Sequence, residues 1–515
     1  MKKILLLLFS INCFAQAPTL EWQKYFGGSK ADEARCIKHT SDGGYIVGAY
    51  TFSNDGQVSG LHGTIEDFWV VKLAADGTIQ WQKTFGGTGD EEIYSIAQTT
   101  DGGYIIAGYA TYPNDGDVTG VHSNDYREDF WVIKISSTGN LEWQKALGGS
   151  LNEVARDIKQ TPDGGYIVIG STISNNFDVS GLHGTYNDAW VVKLSATGII
   201  EWQKTYGGSN YDYGRSITLS ADGGYVFTGG SKSTDGDLLG LQASNTYTNM
   251  WVVKISSTGT IQWQRIMQGG SEGYKINTTS SGEYIILGSA NHTAPFPSNG
   301  NGYNGILKLD AAGTVLWART YGNNGASVQF GNIMQANDGN YVFSTSVSSA
   351  TGDVADFNGM GDIWVVKLNA QNGNILWQKS VGRSDAYTYA HYLDQTNDNG
   401  YILSGNIVTS TTFPGFHGGG ADAFVAKLSA DSLSMNEFNP YQLAIYPNPG
   451  KDIIKFESPD NAIMDKCIIT DLTGKIIITQ TERINQIDIG NLSIGMYFIQ
   501  AFSGANKYQS KFIKE

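Results

Sequence analysis

Short runs of alternating apolar and polar residues, separated by glycine-rich turns, follow one another along most of this chain. In residues 86–147 the runs EIYSIAQT and GYIIAGYAT flank the turn at 101–103, and the runs DFWVIKIS and NLEWQKAL flank the turn at 137–139. Runs rich in β-branched and aromatic residues predict strands, and glycine favours tight turns between them. The pattern therefore predicts four antiparallel strands that form two hairpins.

This unit of about sixty residues occurs seven times, and all twelve tryptophans occupy two of its positions. The tryptophans of a W-Q-K-like run are Trp22, Trp81, Trp143, Trp202, Trp263, Trp317 and Trp377. Those of a D-x-W-V-V-K-like run are Trp69, Trp131, Trp190, Trp251 and Trp364. A strand-rich repeat of this kind predicts an all-β fold, a seven-bladed β-propeller whose tryptophans pack between blades. An open β-solenoid or a string of small sheets is the alternative.

The two ends of the repeat region favour a closed ring. The seventh D-x-W-V-V-K-like run, at 423–429, has no W-Q-K strand after it, whereas the chain begins with such a strand at 19–26. Pairing the two would complete the seventh blade and remove two aggregation-prone open edges. We therefore predict a propeller over 18–428, closed by its N-terminal strand. The fifth repeat is the shortest and has Gly305 in place of tryptophan, so we expect a looser blade there.

Composition and charge narrow the class of protein. The chain contains 65 glycines, and 40% of its residues are hydrophobic, which suits many short strands around a core. Its net charge of −15 repels phosphate backbones, so nucleic acid is not an expected partner.

The N-terminus and the cysteines indicate an exported protein. Residues 1–17 combine two lysines, an apolar run and a small-residue cleavage site, which predicts a signal peptide. No later run has the roughly 18 apolar residues of a transmembrane segment. Cys36 and Cys467 form no framework pattern, so we expect both to be free and buried.

The repeat also predicts which rim could carry function. The two hairpin turns of each blade lie on one rim, while the connections between blades and the long connection between the second and third strands lie on the other. These long loops are acidic, and together their aspartates form the predicted contact surface. The candidate binding residues are Asp55, Asp67, Asp115, Asp117, Asp129, Asp178, Asp188, Asp235 and Asp237.

Two interpretations compete for the Asn/Asp-Gly-Asp runs of these loops. Several oxygen ligands could surround Ca²⁺, although the full twelve-residue calcium pattern is missing. The alternative is turn chemistry, in which Asp and Asn bond to their own backbone. One histidine recurs in four of these loops, where we expect hydrogen bonding and not a shared metal: His62, His122, His183 and His417. Apart from calcium, no cofactor is predicted.

The sequence offers little enzyme chemistry. It contains no nucleophile elbow, zinc-protease helix, P-loop or C-x-x-C motif. The remaining candidates are acids that occur in one blade only, such as Glu272 and Asp385. The D-G-G-Y run loosely resembles the Asp-box of sialidase-type propellers without its final tryptophan, and the D-x-W-V-V-K run resembles the blade hairpin of quinoprotein-like propellers. Both likenesses concern architecture.

After a short polar linker at 429–440, residues 441–515 differ in kind. Strands bounded by turns predict a small antiparallel sandwich. The motifs Y-P-N-P, D-L-T-G-K, L-S-I-G-M-Y-F-I and K-F-I-K closely resemble those of the type A C-terminal sorting domain of the type IX secretion system. The resemblance implies recognition by that machinery and release or attachment at the cell surface. The residues it implicates are Pro447, Asn448, Pro449, Gly474, Gly495, Lys511 and Lys514.

The leading functional hypothesis is a secreted or surface-tethered binding or adhesion module, whose ligand could be a glycan or a surface protein. The alternative is a hydrolase or lyase that acts on extracellular polysaccharide with acids of the same rim. An enzyme should have one or two blade-specific acids at the channel mouth, about 5 to 10 Å apart. A binding module should instead show similar loops around the ring.

Overall fold

The computed structural model describes residues 15–241, 243, 245–268, 271–290, 294–296, 304–322, 331–409, 413–433, 443–457, 464–471, 475–503 and 506–515. Two compact units are present, one spanning Ala15–Ser432 and the other including Leu433–Glu515. The predicted signal peptide lies almost wholly outside the described residues and stays a prediction.

The first unit consists of seven four-stranded antiparallel sheets, which we call blades 1 to 7. Blade 1 contains Asp32–His39, Tyr45–Thr51, Asp67–Leu73 and Ile79–Phe85. Blade 2 contains Glu91–Gln98, Tyr104–Ala110, Asp129–Ile135 and Leu141–Leu147. Blade 3 contains Glu153–Gln160, Tyr166–Thr172, Asp188–Leu194 and Ile200–Tyr206. Blade 4 contains Asp212–Leu219, Tyr225–Ser231, Asn249–Ile255 and Ile261–Met267. Blade 5 contains Gly273–Thr278, Tyr284–Ser289, Asn304–Leu309 and Val315–Tyr321. Blade 6 contains Ile333–Gln335, Tyr341–Val347, Asp362–Leu368 and Ile375–Val381. Blade 7 contains Tyr387–Gln395, Tyr401–Val408, Ala421–Leu428 and Leu20–Phe26. A 3₁₀ turn spans Gly236–Leu238, and two-residue strands span Ala15–Gln16 and Ser432–Leu433.

Blade 7 confirms the predicted closure. Leu20–Phe26 pairs antiparallel with Ala421–Leu428, with Phe26 opposite Ala423. The first strands of blades 1 to 6 contact one another in order, and the first strand of blade 7 contacts the second strand of blade 6 and the first strand of blade 1. These first strands therefore surround a central channel, and the W-Q-K strands form the outer edge.

The tryptophans hold the blades together as predicted. Trp69 of the third strand is fully buried, and its indole N–H donates to Gln82 Oε1 of the fourth strand at 2.8 Å. Trp81, on that same outer strand, packs against Tyr104 of the next blade with ring centroids 6.1 Å apart. The Q of W-Q-K thus satisfies a buried donor, which would otherwise cost about 1–3 kcal/mol.

Blade 5 keeps all four strands despite its missing tryptophan. A Cβ on Gly305 would come within 2.9 Å of the ring of Phe296, which is buried. A phenylalanine from the preceding loop therefore packs where the tryptophan side chain would begin.

The second unit has two antiparallel sheets. One contains Ala444–Tyr446, Ile453–Glu457 and Gln486–Asp488, and the other contains Met464–Thr470, Ile476–Ile484, Gly495–Ser503 and Asn506–Lys514. Ile454 and Phe456 of the first sheet share one hydrophobic cluster with Ile469 and Ile499 of the second. Cys467 lies in this cluster, and Cys36 lies in the propeller core; both are free and buried, as predicted.

Candidate functional site

The predicted binding aspartates all lie on one rim of the propeller, which we call the long-loop rim. Three of them begin third strands and have no exposed surface: Asp67, Asp129 and Asp188. Asp67 Oδ2 accepts hydrogen bonds from the backbone N–H of His62 at 3.1 Å and pairs with its Nδ1 at 2.7 Å. His122, His183 and His417 repeat this contact in their own blades. The predicted role of these histidines in loop hydrogen bonding is confirmed.

A second group of aspartates binds backbone donors. Asp55, Asp115 and Asp235 each accept, at 2.7 Å, the backbone N–H of the residue after the Gly-Gly step that leads into the same blade. A carboxylate that accepts backbone N–H groups fixes the path of a loop. The Gly-Gly connection is therefore fastened to the long loop of its own blade.

A third group joins neighbouring blades. The Oδ2 atoms of Asp117, Asp178 and Asp237 lie 3.5 to 3.8 Å from the Nε2 atoms of the histidines of the preceding blades. The hydrogen bond that His122 donates to Asp129 raises the pKa of His122, which favours the cationic form that Asp178 attracts. All nine aspartates thus have partners within the protein, and among the described residues no group of three or more His, Cys, Asp or Glu is arranged to hold a metal ion.

The channel has a feature that the sequence analysis missed. In six first strands the pairing with the second strand skips one residue, which is a β-bulge. The skipped residues are large and polar: Arg35, Tyr94, Arg156, Arg215, Tyr274 and His391. Because bulges redirect side chains, these residues form a ring around the channel. Aligning the repeats on their first strands would have revealed the shared position.

The ring makes contacts that differ from blade to blade. The Arg35 guanidinium forms an ion pair with Glu92 at 2.5 Å, and the Arg156 guanidinium lies 4.0 Å from the centre of the Tyr94 ring. Arg215 Nη2 lies 3.9 Å from Glu272 Oε2. The sequence candidate Glu272 therefore sits beside this ring. Blade-specific chemistry is concentrated here, in contrast to the repeated loops.

One junction between blades brings two carboxyl groups together at the channel mouth. The Glu66 carbonyl accepts the N–H of Glu91 at 3.0 Å, which places Glu66 beside Asp90. Burial and the charge of Asp90 raise the pKa of Glu66 to about 8, and burial also raises the pKa of Asp90. Tyr109 donates its hydroxyl to Asp90 at 3.2 Å. Two such acids share one proton near neutral pH.

The next two junctions lack this carboxyl pair. Glu128 and Asn152 occupy the corresponding positions at one of them, and Asn187 and Tyr211 occupy them at the other. The remaining sequence candidate, Asp385, is exposed and pairs with Arg383 at 2.8 Å. Glu66 and Asp90 are therefore blade-specific acids at the mouth, whereas Asp385 is already paired with its neighbour.

Exposed aromatic side chains cluster on the long-loop rim of blades 2 to 4. Six aromatic residues of this region have more than a third of their surface exposed: Tyr112, Tyr126, Phe177, Tyr186, Tyr211 and Tyr247. Elsewhere among the described residues, Tyr387 and Tyr389 of blade 7 and Tyr446 of the second unit are exposed to a similar degree. Tyr186 and Tyr211 lie side by side across a blade junction, with ring centroids 4.3 Å apart. Exposed apolar groups gathered in one region mark interaction surfaces.

Phe177 occupies a position where other blades have glycine. Its φ is 54°, in the left-handed region, and the equivalent loop positions are Gly56, Gly116, Gly236 and Gly352, with φ from 57° to 66°. A bulky residue in this region costs about 1–2 kcal/mol. The Phe177 ring is nevertheless 68% exposed and rests on the His122 ring at 5.0 Å. Blade 3 thus holds an aromatic face towards solvent at a conformational cost.

The residues implicated in sorting cluster around the last strand. Asn448 Oδ1 accepts the N–H of Ile513 at 2.9 Å, and its Nδ2 donates to the Lys511 carbonyl at 3.2 Å. Asn448 lies between Pro447 and Pro449, so this turn is fastened to the C-terminal strand. Lys511 is exposed, and Lys514 is buried. Gly495 begins the third strand of the larger sheet, and Gly474 lies outside the described residues.

Comparison with known proteins identifies this second unit. Residues 444–515 match the family model of the secretion system C-terminal sorting domain. The chain therefore carries a type IX sorting domain behind a propeller, which implies recognition by that machinery and export to the cell surface or beyond. No curated protein matched the chain.

Solved structures resemble the propeller in fold. A streptogramin B lyase is 12% identical, with 79% of this chain and 98% of that chain covered and a TM-score of 0.46. An inactive virginiamycin B lyase from Staphylococcus aureus is 10% identical, with 79% and 99% covered and a TM-score of 0.46. Quinohemoprotein alcohol dehydrogenase from Comamonas testosteroni is 11% identical, with 84% and 79% covered and a TM-score of 0.37. The described residues contain no helix with the length and hydropathy of a membrane span.

Proposed function

We propose that the exported propeller is a binding module that recognises a neutral glycan on the long-loop rim of blades 2 to 4. The observation that carries the proposal is Phe177, an exposed aromatic side chain in a left-handed position that glycine fills elsewhere. Rigid aromatic faces provide contact area at a low cost in conformational entropy, and they suit the apolar faces of sugar rings.

The charge of the molecule supports a neutral ligand. A chain of net charge −15 repels polyanions, and the long-loop rim carries much of this charge. The aspartates of this rim contribute mainly by holding the loops, because each is engaged by a histidine or a backbone N–H. Under this proposal, the aromatic residues make the contacts and the aspartates position them.

A glycan array with the purified protein tests the proposal. The informative variant is Phe177→Gly, since glycine accepts the left-handed backbone while the aromatic face is lost. We expect binding to weaken about ten-fold or more, because a central aromatic anchor contributes at least 1.4 kcal/mol. Ile199→Ala, which removes an exposed apolar side chain from the opposite rim, should leave binding unchanged. Equal binding by wild type and Phe177→Gly, or binding only to proteins, would contradict the proposal.

A second candidate function rests on the Glu66–Asp90 pair. A carboxyl group protonated near pH 7 beside an ionised one can act as a general acid in glycan cleavage. A screen for released reducing ends, with Glu66→Gln as the comparison, tests this candidate. Turnover by wild type that disappears in Glu66→Gln would replace the binding proposal with a hydrolase or lyase.

A further inference from the structure

A cavity opens at the end of the channel that lies away from the long-loop rim, on the rim of the hairpin turns. Its volume is about 390 Å³, within the range of small-molecule sites. Lys38 and Asp394 contribute from blades 1 and 7, Asn277 contributes from blade 5, and Asn332 contributes from the segment that leads into blade 6. Residues from four blades therefore converge on a space that no single repeat could form.

The cavity lies where the repeated pattern is interrupted. At several junctions, a glutamine at the end of a first strand accepts a backbone N–H from the preceding blade, as Gln160 does from Thr100 and Gln395 does from Asn337, at 2.9 and 2.8 Å. In blade 1 the corresponding residue is His39. Its Nδ1 pairs instead with Asp394 Oδ2 at 2.8 Å, within the seam between blades 7 and 1.

Positive charge exceeds negative charge around this cavity. Lys38 Nζ lies 3.3 Å from Asp394 Oδ1, so Asp394 serves both Lys38 and His39. The hydrogen bond to Asp394 raises the pKa of His39. Lys275 forms no salt bridge among the described residues. It does not line the cavity itself but lies 5.4 Å from the centre of the ring of Tyr392, which does, and Lys38 lies 4.9 Å from the same ring. Tyr392 is thus flanked by two ammonium groups.

The other charged groups of the inner channel are matched. Deeper in the channel, Asp157 pairs with Lys159 at 2.6 Å and accepts the hydroxyls of Ser95 and Ser216. Asp157 is therefore already engaged, although it lies close enough to Lys275 to interact with it. Within an acidic protein, this locally cationic cavity favours an anionic molecule.

A buried acceptor in the cavity wall also points to a ligand. Asn332 is 2% exposed and donates from Nδ2 to the Leu393 carbonyl at 2.7 Å, which leaves its Oδ1 without a hydrogen-bond partner. A buried polar atom without a partner destabilises the fold, because it has lost its hydrogen bonds to water. Because Asn332 lines the cavity, a hydroxyl group on a bound molecule could donate to Oδ1.

We propose that this cavity binds a small hydroxylated carboxylate, namely a monosaccharide acid. Lys38 and Lys275 would hold the carboxylate, Tyr392 would pack against the sugar ring, and Asn332 Oδ1 would accept a hydroxyl. The site lies on the opposite rim from the neutral glycan surface and differs from it in ligand charge. It therefore goes beyond the function proposed above and does not depend on it.

Calorimetric titration of the full chain with sodium glucuronate tests the proposal, and glucose is the matched uncharged probe. We expect glucuronate to bind about ten-fold or more tightly than glucose, because a charge-assisted contact is at stake. Lys275→Met should weaken glucuronate binding to a similar degree while keeping the fold, since Lys275 has no ion pair to lose among the described residues. Lys38→Met is a second variant, and thermal unfolding checks that each protein remains folded.

Matched controls separate this site from the glycan surface. Lys83→Met removes an exposed lysine elsewhere on the propeller and should leave glucuronate binding unchanged. Phe177→Gly should also leave it unchanged, so the two proposals can fail independently. Absence of glucuronate binding at millimolar concentration, equal binding of glucose, or full binding by Lys275→Met would overturn the proposal.

Discussion

The pKa values of aspartates on the two rims of the propeller are shifted in opposite directions. On the hairpin rim, turn aspartates pair with buried lysines of the third strands, as Asp42 does with Lys72 at 3.0 Å and Asp222 does with Lys254 at 2.7 Å. Partial burial would raise the pKa of these aspartates, but hydrogen bonds within the turn and from lysine outweigh it and lower the pKa to about 2. This holds for Asp42, Asp101, Asp222 and Asp398.

On the long-loop rim, buried carboxyl groups have histidine, hydroxyl or backbone N–H partners in place of lysine. Burial raises the pKa of Asp32 and of Asp188 to about 6, and that of Glu91 to about 8. An aspartate that recurs in each repeat therefore does not have one role, because the partner supplied by the neighbouring strand sets the direction of its pKa shift. On the hairpin rim, lysines neutralise the aspartates and keep them ionised. On the long-loop rim, burial keeps the pKa values of several acids above their usual range.

Breaking a hairpin-rim pair should have the largest effect on stability. Lys254 is buried, and Asp222 is its one carboxylate partner among the described residues. Asp222→Asn should therefore lower the free energy of unfolding by about 2–3 kcal/mol, which is less than for a fully buried pair because the Asp222 side chain is more than half exposed. Asp163→Asn should cost less, because Lys193 keeps Glu201 at 3.0 Å. Urea denaturation at pH 7 measures both changes, and equal losses would contradict the assignment of these ion pairs.

The pH dependence of stability should reveal the long-loop rim. Because the folded pKa of Glu91 is raised from 4.5 to about 8, its contribution to stability is complete below about pH 4.5 and is lost as pH rises through 8. Asp32 and Asp188 act in the same direction between about pH 4 and 6. We expect the melting temperature to fall from mildly acidic to alkaline pH.

Glu91→Gln isolates this contribution. The amide cannot ionise and retains an oxygen acceptor for the Gly87 N–H, which Glu91 Oε2 binds at 3.0 Å. The variant should resemble wild type at about pH 4.5, and its unfolding free energy should exceed that of wild type by a margin that grows up to about pH 8 and is at least about 1 kcal/mol at pH 9. Parallel pH profiles for the two proteins would show that Glu91 ionises normally.

The smallest expected effect concerns the left-handed loop position. Phe177→Gly relieves backbone strain but adds flexibility to the unfolded chain, so the net gain in stability should be below about 1 kcal/mol. The converse change, Gly116→Ala, should destabilise by about 1–2 kcal/mol, since its Cβ would approach the Gly86 carbonyl oxygen at 2.3 Å. Chemical denaturation compares the signs, and a destabilising Phe177→Gly would mean that the ring is a structural group.

The repeat alone predicted the number of blades, the closure by Leu20–Phe26 and the packing role of the tryptophans, since each follows from periodicity and from an unpaired strand. It also predicted which rim carries the acidic loops. The partners of those acids were beyond it, because sequence does not show that the Asp115 carboxylate reaches the Thr88 N–H.

The sequence analysis also missed the channel ring and the cavity on the hairpin rim, for two different reasons. A β-bulge shifts register by one residue, so simple alternation cannot place Arg35 or His391 in the channel. The cavity joins Lys38 to Asp394, 356 residues later in the chain, and to Asn332 of a third blade. Lys38 and Asp394 occupy equivalent positions of blades 1 and 7, but the repeats carry opposite charges there. Long-range convergence of dissimilar residues leaves no local pattern to detect.

The antiparallel contact between Leu20–Phe26 and Ala421–Leu428 has a kinetic consequence. Leu20–Phe26 needs a partner that is synthesised about four hundred residues later, so it stays unpaired while the intervening blades are made. Until then, the nascent polypeptide exposes an unpaired apolar edge that a holding chaperone could protect. A translocation route that keeps the polypeptide extended would postpone circularisation until both strands have crossed.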